Sequence, residues 1–476
     1  MTWVHPLSAE VTEPASVLGA KGHGLVALRR LGLPVPPGFV IGTRACRAHL
    51  RDGRPPGGLA AETADAVRAL EAATGRRLGD PGRPLTVSVR SGAGVSMPGM
   101  MNTILNLGLT AETTAGLAAE TGDPSFASDS RRRFLSGFAA AVRTGEPVPD
   151  DAAGQLEAAV RAVFSSWDTP RARTYRELHG IPHDLGTAVT VQAMVFGNRD
   201  DHSGTGVAFS RDPNTGENTP YGEVLFGRQG EDVVSGTSDT RPLAELGERE
   251  PAAWAALRAA LGRIERHFGD VCQVEFTVES GRLWLLQVRP GGLAGPAAVR
   301  VAVDLADEGV ISRRSALERA SARHRARTPR IATAGPLDIL TRGTGACPGV
   351  ASGRVATTAD RAVRMAAGGP VILVRPHTSP LDMHGLAAAA GVVTARGGPA
   401  SHAAVVARSL GRPAVVGAAG LTVEAGGVRA AGRVLPEGAL ITIDGTGGEV
   451  VVGRPRVVTD PEGPHLRRLL EWADAL

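Results

Sequence analysis

The sequence predicts a multidomain protein in which an α+β region is followed by an α/β region. The chain has 476 residues, about three times the size of a typical domain. Segments with helical spacing alternate with short strand-like runs along its whole length. The pattern changes near residue 186, where β-structure begins to dominate, and again near residue 345, where strands and helices start to alternate.

The first region is predicted to begin with a helix, a proline-rich turn and a strand. Within residues 15–42, the glycine-flanked helix Gly24–Gly32 is followed by the turn Leu33–Gly38 and the strand Phe39–Ile41. Two amphipathic helices are predicted at 58–77 and 150–165. Between them, a strand at Leu85–Arg90 leads into a loop rich in Gly, Met and Ser. From Gly186 onwards, short runs separated by turn residues predict the strands Ala188–Val195, Gly206–Ser210, Glu223–Phe226, Val274–Val278 and Leu283–Val288.

The second region is predicted to be smaller and to follow a linker. Residues 300–327 have helical spacing, whereas Thr328–Gly345 has no period and is predicted to connect two domains. Strands follow at Gly353–Ala356, Val371–Val374, Gly391–Val393 and Leu440–Ile443, with a helix after Ser401. We therefore predict a first domain at 1–327, a linker at 328–345, a second domain at 346–455 and a helical tail at 456–476.

Composition excludes several classes of function. The 52 basic and 48 acidic residues give a net charge of +4 and form no basic block, so nucleic-acid binding is not indicated. No apolar run approaches the length of a membrane span and no leader follows Met1, so we expect a cytoplasmic protein without a membrane partner. Three widely spaced cysteines predict neither a disulfide framework nor a CxxC metal site.

Lys21 is the only lysine in a chain that otherwise uses arginine as its cation. A single lysine between Gly19 and Gly22 suggests a position where a compact ammonium binds phosphate oxygens and a planar guanidinium does not fit. The alternative is that this lysine codon persists by chance.

The strongest local signal surrounds His402. Ser401 is a good N-cap, Ala403–Leu410 has helical character, and Gly411 with Pro413 ends the helix. In the first turn of a helix the positive end of the dipole favours neutral imidazole, which is a nucleophile, and the free amides can receive a phosphoryl group. This pattern predicts a phosphohistidine. The alternative is a histidine that only caps the helix.

The segment Gly397–Gly417 resembles the phosphohistidine signature of the phosphoenolpyruvate-utilising enzymes, and Val371–Asp382 resembles the strand and turn before it in the pyruvate, phosphate dikinase family. Further segments resemble the ATP-grasp domain of that family in the same order: Lys21–Gly22, Gly32–Phe39, Val87–Ala93, Ser96–Leu109, Gly186–Val189, Ser203–Arg211, Gln229–Val234 and Glu275–Glu279. The resemblance covers roughly residues 15–455.

This resemblance implies an ATP-grasp-like nucleotide-binding domain followed by a swivelling phosphohistidine domain. It implies that His402 is the catalytic residue and that it receives a pyrophosphoryl group from ATP with release of AMP, after which inorganic phosphate or water removes the terminal phosphoryl group. The residues expected to bind nucleotide or phosphate are Lys21, Arg90, Gly99, Arg133, Gln192, Met194, Gly206 and Arg289. Glu275 and Gln287 are expected to bind Mg²⁺.

Three departures from the family limit the inference. The family places Asp where this sequence has Gln273, and a neutral amide holds a divalent cation less strongly than a carboxylate. A threonine that is phosphorylated for regulation in plant relatives is replaced by Ala400. The chain ends where the family continues into a barrel that binds pyruvate and phosphoenolpyruvate, so the final acceptor is expected on a separate barrel protein or to be another small molecule. The rival hypothesis is a non-catalytic phosphocarrier, or a nucleotide-binding regulator of a full-length dikinase.

Overall fold

A computed structural model describes residues 2–95, 97, 100–142, 147–234, 240–293, 295–320, 328–332, 336–459 and 463–475. The described residues form two compact units. The first comprises residues 1–203 and 276–289, and the second comprises residues 204–275 and 290–476. Helices and strands are mixed in both units, which confirms the prediction of a mixed α/β multidomain protein.

Up to residue 203 the elements are β1 (Val4–Pro6), α1 (Ala15–Arg30), β2 (Gly38–Ile41), α2 (Thr43–Asp52), α3 (Leu59–Thr74), β3 (Arg77–Leu78), β4 (Pro84–Leu85), β5 (Val87–Ala93), β6 (Thr103–Leu107), α4 (Ala111–Thr121), α5 (Pro124–Val142), α6 (Ala152–Ser166), α7 (Pro170–Leu178) and β7 (Thr187–Ala193).

The middle of the chain contains β8 (Gly204–Phe209), β9 (Tyr221–Phe226), α8 (Gly230–Val234), β10 (Arg241–Pro242), α9 (Glu245–Arg249), α10 (Pro251–Phe268), β11 (Cys272–Glu279), β12 (Arg282–Pro290), α11 (Gly295–Asp307) and α12 (Arg313–Arg319).

The remaining elements are β13 (Pro329–Ile331), β14 (Ile339–Arg342), β15 (Thr344–Cys347), β16 (Val350–Ala356), α13 (Ala359–Ala366), β17 (Val371–Arg375), α14 (Met383–Ala388), β18 (Gly391–Thr394), α15 (His402–Leu410), β19 (Ala414–Val416), β20 (Leu421–Glu424), β21 (Gly427–Ala430), β22 (Arg433–Pro436), β23 (Leu440–Asp444), β24 (Glu449–Val452), β25 (Val457–Thr459) and α16 (Pro464–Ala475).

The first unit is built on an antiparallel sheet with the strand order β1-β2-β7-β5-β6. Its central strand β7 is buried along its whole length, as expected for a strand covered on both faces. Helix α1 packs closely on β5, since a Cβ placed on Gly19 would lie 1.7 Å from the carbonyl oxygen of Gly92. Gly19 also has φ +69°, a conformation that favours glycine and introduces a kink into α1.

The second unit contains a mixed sheet with the order β14-β24-β23-β16-β17-β18-β19-β15. Strands β16 to β19 are parallel neighbours, and α13, α14 and α15 connect them as crossover helices. Successive residues of β17 point to opposite faces, so Val371 and Leu373 pack in one buried cluster and Ile372 and Val374 in another. Because both faces are buried, the carboxyl edge of these strands is where a ligand site is expected.

The predicted linker Thr328–Gly345 contains strands, which corrects the expectation of an unpatterned segment. β13 pairs with β25 (Pro329 with Thr459), β14 pairs with β24 (Ile339 with Val451), and β15 begins at Thr344. β13 and β14, of three and four residues, depend on partners more than 100 residues away in sequence, so local periodicity does not reveal them. The domain boundary itself stays a prediction.

Cys46, Cys272 and Cys347 are buried and form no disulfide in the described part of the chain. Burial raises the pKa of the Cys46 and Cys272 thiols to about 12, which makes both unreactive near neutral pH. Within the described ranges, no helix has the length and apolar character that crossing a membrane requires.

Candidate active site

Lys21 lies in α1, two residues after the kink at Gly19. Gly92 of β5 faces it, because a Cβ placed on Gly92 would lie 3.3 Å from the Lys21 Cβ. Gly22 and Gly24 allow the same helix to approach β2 and β12, since added Cβ atoms would meet Val40 at 2.9 Å and Val288 at 3.0 Å. The glycines around the only lysine therefore hold its helix close to three strands.

Arg90 lies on β5, two residues before Gly92 and on the same face of the strand. Its Nη1 donates to the carbonyl oxygen of Leu286 at 3.1 Å, and its Nη2 donates to Oε1 of Gln287 at 3.4 Å. The first unit thus brings three predicted site residues to neighbouring positions: Lys21 on α1, Arg90 on β5 and Gln287 on β12.

The other predicted residues of the first unit have more ordinary surroundings. Arg133 Nε pairs with Asp129 Oδ2 at 2.8 Å within α5. Gln192 is buried on β7 and donates to the carbonyl oxygen of Pro36 at 3.0 Å, while Met194 follows the end of β7 and Arg289 lies on β12. Gly99 lies outside the described residues. Nucleotide binding by these residues stays a prediction.

Gly206 and Glu275, predicted from the nucleotide-domain motifs, lie in the second unit, as does Gln273, which departs from the family pattern. Gly206 is inside β8 and pairs with Val224 of β9, in the region where the sequence predicted a strand. Gln273 and Glu275 lie two residues apart on one face of β11, with Gln273 buried and Glu275 partly exposed. No cluster of three or more His, Cys, Asp or Glu suited to a metal occurs in the described part of the chain. The assignment of Mg²⁺ to Glu275 and Gln287 stays a prediction.

His402 is the first residue of α15, at the carboxyl edge of the parallel strands. The chain reaches it from β18 through Gly397, which has φ +93°, and α15 ends at Gly411 with φ +60°. Ser401 occupies the N-cap position, but its side chain makes no capping hydrogen bond. The predicted position of the cap is correct, and the predicted bond is absent.

The His402 ring has a partner at one nitrogen only. Thr378, in the turn after β17, places its Oγ1 3.2 Å from Nδ1. Nε2 is buried and has no hydrogen-bond partner among the described residues. Asp382 lies in the same turn, where its Oδ2 accepts from the Ser379 amide at 2.9 Å and its Oδ1 is 3.2 Å from Nε of Arg375. The turn therefore contacts the imidazole at Nδ1, while the buried Nε2 has no bond from any described residue.

Burial lowers the pKa of His402 to about 4, and the nearby Asp382 carboxylate only partly opposes this effect. The imidazole is therefore neutral at physiological pH. The sequence predicted a neutral His402 from the helix dipole, whereas in the structure desolvation is the main cause.

Comparisons with known proteins match two segments of the chain to family models. Residues 55–243 match the model of the pyruvate phosphate dikinase AMP/ATP-binding domain, and residues 368–448 match the mobile domain of the PEP-utilising enzymes. Pyruvate, phosphate dikinase of Rhizobium meliloti is 40% identical over 99% of this chain and 60% of the relative. Dikinase 2 of Zea mays is 41% identical over 96% of this chain and 58% of the relative, and the Clostridium symbiosum enzyme is 38% identical over 99% and 60%.

The chain belongs to the pyruvate, phosphate dikinase family. It spans about 60% of the length of these dikinases. The mobile-domain match contains His402 and Thr378, and the AMP/ATP-binding match contains Arg90.

Two residues near the dikinase-family histidine received no role in the sequence analysis. Thr378 and Asp382 are the first and last residues of the turn after β17. This turn lies in the segment Val371–Asp382, which the sequence singles out only by its resemblance to the dikinase family. Its capping box, in which Ser379 and Asp382 exchange side-chain and backbone hydrogen bonds, is a sequence signal that marks an ordered turn. That signal predicts order, but it does not reveal that Thr378 faces an imidazole 24 residues later.

Proposed function

We propose that this chain uses ATP to phosphorylate His402. Nε2 of His402 attacks the β-phosphorus of ATP, the bond from that phosphorus to the α,β-bridging oxygen breaks, and AMP leaves with the oxygen. Inorganic phosphate then takes the terminal phosphoryl group as pyrophosphate, leaving phosphohistidine. Onward transfer to pyruvate on a partner protein, or to another small acceptor, completes the proposed reaction.

One observation carries this proposal: His402 is neutral, with a bonded Nδ1 and a buried Nε2 that has no partner in the described part of the chain. With the proton on Nδ1, the ring N–H donates to Thr378 Oγ1 and only a lone pair is left unpaired. The opposite tautomer leaves a buried N–H without an acceptor, which is rarer and more costly. The favoured tautomer therefore presents the lone pair of Nε2 as the nucleophile.

The chain's own residues supply binding and charge stabilisation for the nucleotide. Lys21 and Arg90 neutralise the charge of the phosphate oxygens. This matters because the protein promotes phosphoryl transfer mainly by positioning the groups and stabilising their charge. Glu275 offers a partly exposed carboxylate oxygen of the kind that Mg²⁺ accepts alongside nucleotide phosphates. When bound, Mg²⁺ would neutralise developing charge on the triphosphate. The amides of the first turn of α15 are placed to receive the phosphoryl oxygens.

The proposal is tested by incubating the full chain with ATP, Mg²⁺ and phosphate. We expect AMP and pyrophosphate in equal amounts, together with a mass gain of one phosphoryl group that maps to His402. Formation of ADP in place of AMP, or an unchanged protein mass, would contradict it.

The second candidate is a nucleotide-binding regulator without catalysis, and Gln273 is the observation that favours it. Gln273 is 5% exposed on the same strand face as Glu275, so a neutral amide stands beside the predicted metal ligand. If the amide only weakens the metal, Gln273→Asp will lower the Mg²⁺ concentration needed for half-maximal phosphorylation by about tenfold, the effect of roughly 1.4 kcal/mol. The measurement is a Mg²⁺ titration of AMP formation in both proteins. Two inactive proteins would support the regulator, and identical Mg²⁺ titrations would place residue 273 outside the metal site.

Thr378 is expected to set the reactive tautomer. Thr378→Val should slow phosphorylation about fivefold, because loss of a hydrogen bond worth about 1 kcal/mol leaves Nδ1–H without an acceptor and shifts the proton towards Nε2. Thr378→Ser keeps the hydroxyl and should stay close to wild type. The measurements are single-turnover rates and the ¹⁵N shifts of the His402 ring, which distinguish the two tautomers. An unchanged tautomer in the valine variant would remove this role from Thr378.

A further inference from the structure

The loop Gly397–Ser401, which carries His402, is held by a buried carboxylate from another part of the second unit. Glu223 on β9 is only 4% exposed. Its Oε2 accepts the backbone N–H of Ala400 at 2.9 Å, and its Oε1 accepts the hydroxyl of Thr240. A charged acceptor is therefore bonded to the main chain two residues before the nucleophile.

Small residues in the loop make this contact possible. A Cβ placed on Gly398 would lie 1.6 Å from Oε1 of Glu223, so any side chain there would displace the carboxylate. The Ala400 methyl group is 4% exposed and packs in a buried cluster with Val207, Phe209 and Leu225. Gly398 and Ala400 therefore fit the loop onto the surface formed by β8 and β9.

A buried cation also holds this loop. Arg408, in α15, donates from Nη2 to the carbonyl oxygen of Pro399 at 2.8 Å and from Nη1 to that of Ala346 at 3.1 Å. Burial lowers the pKa of Arg408 to about 10, and burial also raises the pKa of Glu223. The hydroxyl of Thr240, the amide of Ala400 and the charge of Arg408 oppose the shift of Glu223.

We propose that Glu223 is a positioning residue for His402, which acts by fixing the Gly398–Ala400 backbone from which the helix of the nucleophile starts. This role rests on the proposed phosphorylation of His402. Hydrogen bonds to a charged group are stronger and more directional than neutral ones, so the carboxylate defines the loop more sharply than an amide would. Displacement of a nucleophile by about 1 Å can cost about 10²-fold in rate, so this precision matters for transfer.

The chain contains a second carboxylate that serves as a control for Glu223. Glu437 also accepts one backbone N–H and one threonine hydroxyl, both from Thr357, at 3.1 and 3.0 Å. It lies between β22 and β23 and makes no contact with the loop Gly397–Ser401 among the described hydrogen bonds. Glu437 also pairs with Nε of Arg361 at 3.2 Å. Glu223→Gln and Glu437→Gln both neutralise a carboxylate that accepts a backbone N–H and a threonine hydroxyl, but only the first changes a contact with the loop Gly397–Ser401.

The first experiment measures single-turnover phosphorylation of the full chain over a range of ATP concentrations. We expect Glu223→Gln to lower the rate at saturating ATP at least tenfold, with the half-saturating ATP concentration changed by less than about twofold. Glu223→Asp, which keeps the charge, should recover part of the rate, and Glu437→Gln should match wild type. If wild type is phosphorylated and both glutamine variants keep its rate, the positioning role is wrong and the proposed function stands. If wild type itself is not phosphorylated, the proposed function fails.

Hydrogen–deuterium exchange tests the positioning contact whatever the activity. The peptide spanning residues 397–406 should exchange at least tenfold faster in Glu223→Gln than in Glu437→Gln, because the Ala400 amide loses its charged acceptor. Equal exchange of this peptide in the two variants would overturn the assignment of Glu223, even in a protein without activity.

Discussion

His402→Asn is expected to abolish phosphorylation by ATP while the chain still binds the nucleotide. Wild type should acquire label from β-labelled ATP, and that label should be lost in acid and kept in base, as expected for a phosphoramidate on imidazole. Asparagine is close to histidine in size and offers no nucleophilic nitrogen, so no label should remain above background. The measurement is the radioactivity that elutes with the protein in gel filtration after acid treatment and after base treatment.

A second histidine provides the control for this prediction. His384 is in the same part of the chain, is half-exposed, and places Nε2 2.9 Å from Asp360 Oδ1. His384→Asn should be labelled as wild type is. Label retained in His402→Asn, or lost in His384→Asn, would mean that the nucleophile has been assigned to the wrong residue.

The low pKa of His402 also predicts how this residue responds to acid. The pKa is lowered from 6.5 to about 4 by burial, so the unfolded chain binds a proton between these values when the folded chain does not. His402 therefore makes the folded state less stable as pH falls from 6.5 towards 4, and His402→Asn should lose less stability over this range. Urea midpoints at pH 7 and pH 5 provide the measurement, and equal losses in the two proteins would contradict the low pKa.

The sequence predicted local features of the fold well where the local signal was strong. Helix α3 occupies Leu59–Thr74 within the predicted 58–77, and α15 ends at Gly411 as the glycine signal indicated. It did not predict β13 and β14, because these short strands exist only through pairing with distant residues. Turn and capping chemistry acts over a few residues, so it can be read from sequence, whereas nonlocal strand pairing cannot.

The same distinction applies to the site. His402 was predicted from a local helix-start pattern and Arg90 from the family resemblance, and the structure shows that Arg90 bonds Gln287 across 197 residues. Sequence patterns did not point to Thr378 or Glu223, since their contacts with His402 and Ala400 join positions 24 and 177 residues apart. The environment of His402 was missed for the same reason. Burial comes from tertiary packing, so the sequence could predict a neutral imidazole without identifying desolvation as the cause.

Arg211→Met is expected to destabilise the second unit severely. Arg211 is fully buried after β8, where Nη2 donates to Glu265 Oε1 at 2.8 Å and to Glu308 Oε2 at 2.7 Å. Burial alone would lower the pKa of Arg211, but bonds to Glu265 and Glu308 outweigh it and raise the pKa, so the guanidinium stays charged. Methionine has a similar length without charge and would leave Glu265 buried and uncompensated. Breaking such a pair costs about 3–5 kcal/mol in the free energy of unfolding.

Two further variants separate this explanation from a simple loss of packing. Arg314→Met removes an exposed pair with Glu318 in α12 and should change the free energy of unfolding by no more than about 0.5 kcal/mol. Glu265→Gln combined with Arg211→Met removes the uncompensated charge and should recover part of the stability lost by Arg211→Met alone, because replacing both partners of a buried pair costs less than removing one. Urea unfolding of the three variants gives the comparison. If the double variant is no more stable than Arg211→Met, then the lost contacts of the arginine side chain, rather than the stranded carboxylate, account for the destabilisation.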